Sequence, residues 1–245
     1  GVKDDSAFNA VRDEHIVGGA RDAGKNTVYT FFEQVPELDV NEHRRQIDIW
    51  KNAWRSRGWK PVVLNLDDAR RHKDFEKYNA AFEKFPTVNP KKYELNCFLR
   101  WLALDAVGGG FMTDYDMLTK SFIPRDLEEF QKDSRVSILQ SSADGSVVVP
   151  AAVYARGPAL ASMIAALASY KPSEKDFEGT RPHVSDQNTL CRLVGSDWMS
   201  AQNIAKEFGE SCWETAPMVH FTTSASSRIR PGISKSGIMA EFVKS

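Results

Sequence analysis

Two acidic residues, Asp114 and Asp116, lie two positions apart in the segment GGGFMTDYDM, residues 108–117. In an extended segment both side chains point to the same side, because side chains alternate along a strand. Two carboxylates can then face one divalent cation, and Mg²⁺ and Mn²⁺ prefer carboxylate and phosphate oxygens. An acidic pair is also typical of a solvated turn, so the elements that position it must decide between the two interpretations.

A helix and a short strand lead into the acidic pair. Apolar residues recur at helical spacing over residues 91–107, and Gly108 to Gly110 end the helix. The apolar residues after the glycines predict a strand that ends at Asp114. Arg100 lies near the end of the helix, off its apolar face, where it is either an exposed arginine or a donor of charge-assisted hydrogen bonds.

The first half of the chain predicts a strand–helix–strand unit. Apolar, β-branched and aromatic residues at 28–32 and 61–66 predict two buried strands. Apolar residues at helical spacing over 42–57 predict a helix between them, with Asn41 as its N-cap. Such a unit implies parallel pairing and an α/β architecture.

Side chains at the carboxyl ends of these two strands are candidate ligand contacts. Parallel strands deliver their carboxyl ends to a common crevice, which makes Thr30, Phe31, Phe32 and Asp67 candidates. Packing of the phenylalanines in the core and helix capping by Asp67 are the alternatives.

The second half of the chain alternates strands and helices less regularly. We predict strands at 136–140, 147–153 and 218–222, a helix over 158–170, and a helix capped by Ser185 that runs through Leu193.

The segment LRWLALDAVGGGFMTDYDM, residues 99–117, resembles the signature of the DXD-motif sugar transferases, in which a helical arginine, glycines, an apolar strand and DxD follow one another. The resemblance implies a GT-A fold: a Rossmann-like nucleotide-binding half with a mixed central sheet and a smaller acceptor-side portion. It implies a hexosyltransferase-like enzyme that uses Mn²⁺ or Mg²⁺, with a UDP- or GDP-linked sugar as donor and a hydroxyl of a glycan or other acceptor. It favours retention. Many members carry an aspartate where this chain has Cys97.

The resemblance also implies roles for single residues on the donor side. Arg100 would order the donor or the acidic motif, while Thr30, Phe31 and Asp67 would contact the base and ribose. Asp114 and Asp116 would hold the metal together with His220, near the end of a late strand. A core histidine bonded to a backbone carbonyl is the other interpretation of His220.

Further residues are candidates for the acceptor side and the diphosphate. Asp186 would act as a general base or as a polar group that steadies the positive sugar centre, and its place in a first helical turn also stabilises the helix. Arg228, Arg230 and Lys235 would close over the diphosphate or form a solvated basic tail.

Composition limits the other function classes. The 245 residues carry a formal net charge of −1, which supplies no overall field for nucleic acid or an anionic membrane, and no apolar run is long enough to span a bilayer. Three cysteines without CxxC spacing predict neither a disulfide framework nor a zinc site. A metal-dependent nucleotidyltransferase or phosphohydrolase, and a non-catalytic nucleotide-sugar or carbohydrate-binding module, remain as alternatives.

The chain is expected to form one domain over residues 27–245, preceded by a flexible arm at 1–26 whose composition is polar and aperiodic. The chain starts with glycine, so an upstream anchor could have been removed. We therefore expect either the secretory lumen, such as the Golgi, or the cytoplasm.

Overall fold

The computed structural model describes residues 26–173, 176–178, 181–211 and 213–244. The flexible arm predicted for residues 1–26 lies outside the described residues, apart from Asn26. The strands are β1 Thr27–Phe31, β2 Lys60–Leu64, β3 Gly110–Thr113, β4 Met117–Thr119, β5 Val136–Ile138, β6 Ala152–Ala155, β7 Phe177–Glu178, β8 Arg181–Pro182, β9 Met199–Ala201, β10 Ala205–Glu207 and β11 Met218–His220.

The α-helices alternate with these strands. They are α1 Val40–Arg55, α2 Leu66–Ala69, α3 Phe75–Phe82, α4 Lys91–Ala106, α5 Glu128–Lys132, α6 Gly157–Ala168, α7 Asp186–Arg192, α8 Thr223–Ile229 and α9 Lys235–Lys244. No helix in the described part of the chain is both long enough and apolar enough to cross a membrane.

The central sheet has the order β2-β1-β3-β6-β5-β9. Strand β1 pairs in parallel with β2 and with β3, which confirms the predicted strand–helix–strand unit. Strand β6 pairs antiparallel with β3 and β5, and β9 pairs in parallel with β5. The sheet is therefore mixed, as predicted.

Alternating side chains of β1 divide the core into two apolar layers. Tyr29 and Phe31 pack on one face with the apolar side of α4. Val28 packs on the opposite face with Trp50 and Trp54 of α1. Burial on both faces explains why this strand reads as a continuous apolar run.

A second, smaller sheet carries the late strand to the acidic pair. Strand β11 pairs in parallel with β10 and antiparallel with β4, and His220 lies opposite Met117 in that register. Because β4 begins directly after Asp116, this pairing brings His220 to the DxD segment.

Several predicted element boundaries are wrong. Asp39, not Asn41, caps α1, because its carboxylate accepts from the backbone N–H groups of Asn41 and Glu42 at 2.9 and 3.2 Å. The strand predicted at 147–153 begins only at Ala152, after a turn at Pro150, which has no N–H to donate to a sheet. Ser185 does cap α7, as predicted.

Candidate functional site

A cavity of about 970 Å³ opens where β1 and β3 end. The carboxyl ends of parallel strands are the usual position of a ligand crevice in an open α/β sheet. Polar and aromatic residues from several elements line it, among them Phe31, Phe32, His43, Asn89, Glu94, Arg100, Asp114, Tyr115, Asp116, Asp186, His220 and Lys235.

Asp114 and Asp116 converge, although not by the extended geometry that we predicted. The N–H of Met117 donates to the carbonyl of Asp114 at 3.0 Å, so the segment forms a turn between β3 and β4. Asp114 is fixed by a hydrogen bond from its N–H to the carbonyl of Ala151 at 2.8 Å. One ligand atom each from Asp114, Asp116 and His220 lies within 4.8 Å of the others. A turn thus produces the shared site.

Gln140 orients the imidazole of His220. The Nδ1 atom of His220 lies 3.0 Å from Oε1 of Gln140, and Nε2 lies 3.4 Å from Oδ1 of Asp116. An amide oxygen can only accept, so Nδ1 must donate, and in the neutral ring Nε2 then carries the lone pair that a metal needs. His220 is only 7% exposed. The bonding fits a metal ligand with a second residue that fixes its tautomer.

Lys235 pairs with Asp116 on the other side. Its Nζ lies 2.9 Å from Oδ2 of Asp116. Burial alone would raise the pKa of Asp116, but Lys235 and His220 outweigh burial and hold that pKa well below its usual range. Burial raises the pKa of Asp114, against the opposing charge of Arg100 and with the help of Asp116. The two carboxylates differ in this way because Asp116 has two basic neighbours, whereas burial and the charge of Asp116 outweigh Arg100 at Asp114.

Arg100 joins the acidic motif to the start of α7. Its guanidinium pairs with Asp114 and donates to Oδ2 of Asp186 through Nη2 at 2.6 Å and Nε at 3.2 Å. Trp101 Nε1 donates to the same oxygen at 3.1 Å, and the N–H of Gln187 donates to Oδ1 at 2.8 Å. Asp186 is therefore a fixed, buried carboxylate whose oxygens already accept four hydrogen bonds.

A cluster of aromatic rings that we did not predict from the sequence lines the cavity at the end of β1. The ring centroids of Phe32 and Tyr115 are 6.0 Å apart, and those of His43 and Tyr115 are 5.6 Å apart. The Tyr115 hydroxyl and Nδ1 of His43 are 2.7 Å apart. Tyr115 is the middle residue of the DYD motif, and this position in the sequence could have predicted that it lies at the site.

Two predicted ligand contacts do not reach the cavity. Thr30 is 0% exposed, because the alternation of β1 that turns Phe31 toward the cavity turns Thr30 to the opposite face. Asp67 lies outside the cavity in the first turn of α2, where it pairs with Arg70 at 3.0 Å. The alternative interpretation, helix capping by Asp67, is also wrong, because Asn65 is the N-cap and Asp68 completes its capping box. Phe31 lines the cavity while also packing in the core.

Of the three basic residues that were predicted to close over the diphosphate, one lines the cavity. Lys235 contacts Asp116, whereas Arg228 and Arg230 are exposed, and Arg230 lies 3.9 Å from Glu241 of α9.

Comparison with solved structures identifies the fold type. The chain is similar to mouse xyloside xylosyltransferase 1, with a TM-score of 0.53, 9% identity, and coverage of 82% of this chain and 98% of that one. It is also similar to the glycosyltransferase GlyE of Streptococcus pneumoniae TIGR4, with a TM-score of 0.52, 13% identity, and coverage of 90% of this chain and 60% of that one. The fold is of the GT-A type. It is the mixed α/β fold that the sequence predicted.

The sequence comparisons do not indicate an activity. A family model described as a domain of unknown function (DUF8765) matches residues 21–131, which include Asp114 and Asp116 but neither Asp186 nor His220. No curated protein matches the chain.

Proposed function

We propose that the protein is a metal-dependent glycosyltransferase that moves a sugar from a UDP- or GDP-linked donor to a hydroxyl of a carbohydrate or other acceptor. The observation that carries the proposal is the convergence of Asp114, Asp116 and His220 in the lining of the cavity of a GT-A fold. Two carboxylates and one imidazole form a ligand set suited to Mn²⁺ or Mg²⁺. A cation bound there would neutralise negative charge that develops on the departing diphosphate.

The donor side of the proposal has three further supports. Lys235 supplies an ammonium beside Asp116 that is suited to a phosphate oxygen. The half-buried rings of Phe32, His43 and Tyr115 offer aromatic faces and edges for a nucleobase. Arg100 contacts Asp114, so a sugar attached to a metal-bound diphosphate would lie close to its guanidinium.

Asp186 fits the steadying role better than that of a general base. Four hydrogen bonds from Arg100, Trp101 and Gln187 fix both of its oxygens, so taking up a proton would disrupt bonds that are already made. A carboxylate so fixed can stabilise positive charge on the sugar during transfer. In a retaining reaction the bond from the anomeric carbon to the diphosphate breaks, the bond to the acceptor oxygen forms, and the diphosphate takes the hydroxyl proton. Such a reaction needs no general base from the protein, so the fixed Asp186 carboxylate supports transfer with retention.

The test is calorimetric binding of UDP and GDP with and without Mn²⁺. We expect Mn²⁺-dependent binding in the wild-type protein and its loss in Asp116→Asn. The matched control is Asp48→Asn, which removes an exposed carboxylate on α1 outside the cavity. Binding that survives Asp116→Asn, or that is absent in the wild type, would contradict the proposal. Slow hydrolysis of a nucleotide sugar without acceptor separates an enzyme from a binding module, and pyrophosphate release from a nucleoside triphosphate would indicate nucleotidyl transfer instead.

A further inference from the structure

Glu94 is a buried carboxyl group in the cavity that the donor site does not use. It lies on α4, is 4% exposed and lines the cavity. Its Oε2 accepts a hydrogen bond from Nδ2 of Asn89 at 2.9 Å. Within the described part of the chain, Oε1 has no hydrogen-bond partner. A carboxyl oxygen that faces a cavity and makes no hydrogen bond within the protein can accept one from a ligand or water.

The position of Glu94 along α4 separates it from the metal site. It precedes Arg100 by six residues, which corresponds to roughly 9 Å of helix. A sugar attached to a metal-bound diphosphate would fill the space beside Arg100 and Asp186. Glu94 then lies beyond the donor sugar, where a second molecule must approach.

The groups around Glu94 are suited to a neutral, hydroxyl-rich molecule. Asn89, Gln187 and Asn188 line the same cavity and carry amide groups that both donate and accept hydrogen bonds. Two cations act on Glu94, and both already have partners: Arg100 is bonded to Asp114 and Asp186, and Lys91 donates to the carbonyl of Phe85. Carboxylate and amide groups without a free cation recognise hydroxyl groups better than phosphates or carboxylates.

We propose that Glu94 and Asn89 form the binding site for the acceptor, and that this acceptor is a carbohydrate whose non-reacting hydroxyl groups donate to the Glu94 carboxylate. The proposal rests on the proposed transfer reaction. Glu94 binds and positions the acceptor, while the proton of the reacting hydroxyl leaves with the diphosphate.

The charge on Glu94 makes acceptor binding depend on pH. Burial raises its pKa to about 7, Asp186 adds to the rise, and Asn89, Arg100 and Lys91 oppose it. His183 and Asp176 also line the cavity. Only the carboxylate accepts hydrogen bonds through both oxygens, so acceptor binding should strengthen as the pH rises through about 7.

The experiment compares Glu94→Gln with wild type, using a panel of methyl hexosides, methyl pentosides and disaccharides as acceptor probes. Transfer from the nucleotide sugar that binds with Mn²⁺ is measured as KM for the acceptor, and hydrolysis of that donor is measured in parallel. We expect Glu94→Gln to raise KM for the acceptor by about ten- to a hundredfold, the usual value of a hydrogen bond to a charged group. Donor hydrolysis and Mn²⁺-dependent nucleotide binding should be unchanged.

Two controls keep a folding defect apart from a binding defect. Asn79 and Glu83 form an exposed pair with the same 2.9 Å bond, so Glu83→Gln is the matched control and should change nothing. Asn89→Ala leaves the buried carboxyl in place and should raise KM for the acceptor in the same direction. The wild-type KM should fall as the pH rises from about 6 to about 8, and this dependence should be absent in Glu94→Gln.

The possible failures are distinguishable. An unchanged KM for the acceptor in Glu94→Gln would overturn this inference alone. Equal losses of donor hydrolysis and transfer would place Glu94 in the donor site and would also overturn it. Absence of nucleotide binding in the wild-type protein would overturn the proposed function, and this inference with it.

Discussion

Glu42 binds Ser236 through both of its carboxylate oxygens. The backbone N–H of Ser236 donates to Oε1 at 2.7 Å, and its hydroxyl donates to Oε2 at 2.8 Å. The bonds join the first turn of α1 to the first turn of α9, across 194 residues of sequence. Because Lys235 directly precedes Ser236, the same bonds fix the ammonium that contacts Asp116.

Loss of the Glu42 carboxylate should weaken both stability and nucleotide binding. We expect Glu42→Gln to lower the free energy of unfolding by about 1–3 kcal/mol, because two charge-assisted hydrogen bonds are weakened. UDP or GDP binding should weaken as Lys235 loses its fixed position. Urea denaturation and calorimetry measure the two effects, with Glu83→Gln as an exposed control. Normal nucleotide binding in a destabilised Glu42→Gln would show that Glu42 does not position Lys235.

The same contact predicts acid sensitivity. Burial opposes ionisation, but bonds from Ser236, Arg45 and Gln46 lower the pKa of Glu42 from 4.5 to about 2. A folded-state pKa below the unfolded one stabilises the protein fully above the unfolded value, and that stability is lost as the pH falls toward the folded value. The stability difference between wild type and Glu42→Gln should therefore be constant above about pH 5 and shrink from there toward pH 2. A difference that stays constant with pH in equilibrium denaturation would contradict this.

The triple glycine before the acidic pair is needed for close packing. Gly109 has a φ of +82°, and a Cβ there would lie 2.6 Å from the carbonyl oxygen of Ala155 and from Cα of Arg156. We expect Gly109→Ala to cost about 2–4 kcal/mol, from backbone strain and from overpacking. Gly108→Ala is the control, because its φ of +94° is similar but nothing lies within 4 Å. Equal losses in thermal unfolding would show that strain alone decides the cost.

The sequence predicted those parts of the site that follow directly from element ends. Asp114 and Asp116 come directly after β3, as the order of apolar and acidic residues predicted, whereas His220 was grouped with them only through the resemblance to the DXD-motif sugar transferases. Strand alternation could also have excluded Thr30, since Phe31 beside it must face the other way. Asp67 carried the sequence signal of a helix start, and the structure agrees with that signal.

Contacts between distant segments could not be predicted from one sequence. Gln140 meets His220 across 80 residues, and Glu42 meets Ser236 across 194. Neither pair leaves a periodic pattern or a local motif, because each depends on how complete layers pack. The turn at Asp114–Met117 was missed for a related reason. The pairing of β4 with β11, which is itself long-range, sets its geometry.

Gln140 should control metal affinity without touching the metal. We expect Gln140→Leu to weaken Mn²⁺ binding by about 10- to 100-fold, because Nδ1 of His220 loses the acceptor that fixes its tautomer. Gln140→Glu should retain binding, since a carboxylate oxygen also accepts from Nδ1. Mn²⁺ titration followed by electron paramagnetic resonance measures both variants. If Gln140→Leu binds Mn²⁺ as tightly as wild type, His220 is not held in this way.

Arg100 should be the most costly single residue of the site to remove, because it partners two carboxylates at once. Arg100→Met leaves Asp186, 5% exposed, and Asp114 without their cation, and we expect a loss of about 3–5 kcal/mol in urea denaturation. Arg100→Lys should recover only part of this loss, since one ammonium cannot replace the planar guanidinium that reaches both. Adding Asp186→Asn to Arg100→Met should restore part of the lost stability, because one of the two uncompensated charges is removed. The exposed pair of Arg135 and Asp133 gives the control, in which Arg135→Met should leave stability nearly unchanged. Losses of similar size in Arg100→Met and Arg135→Met would mean that Arg100 does not join the acidic motif to α7.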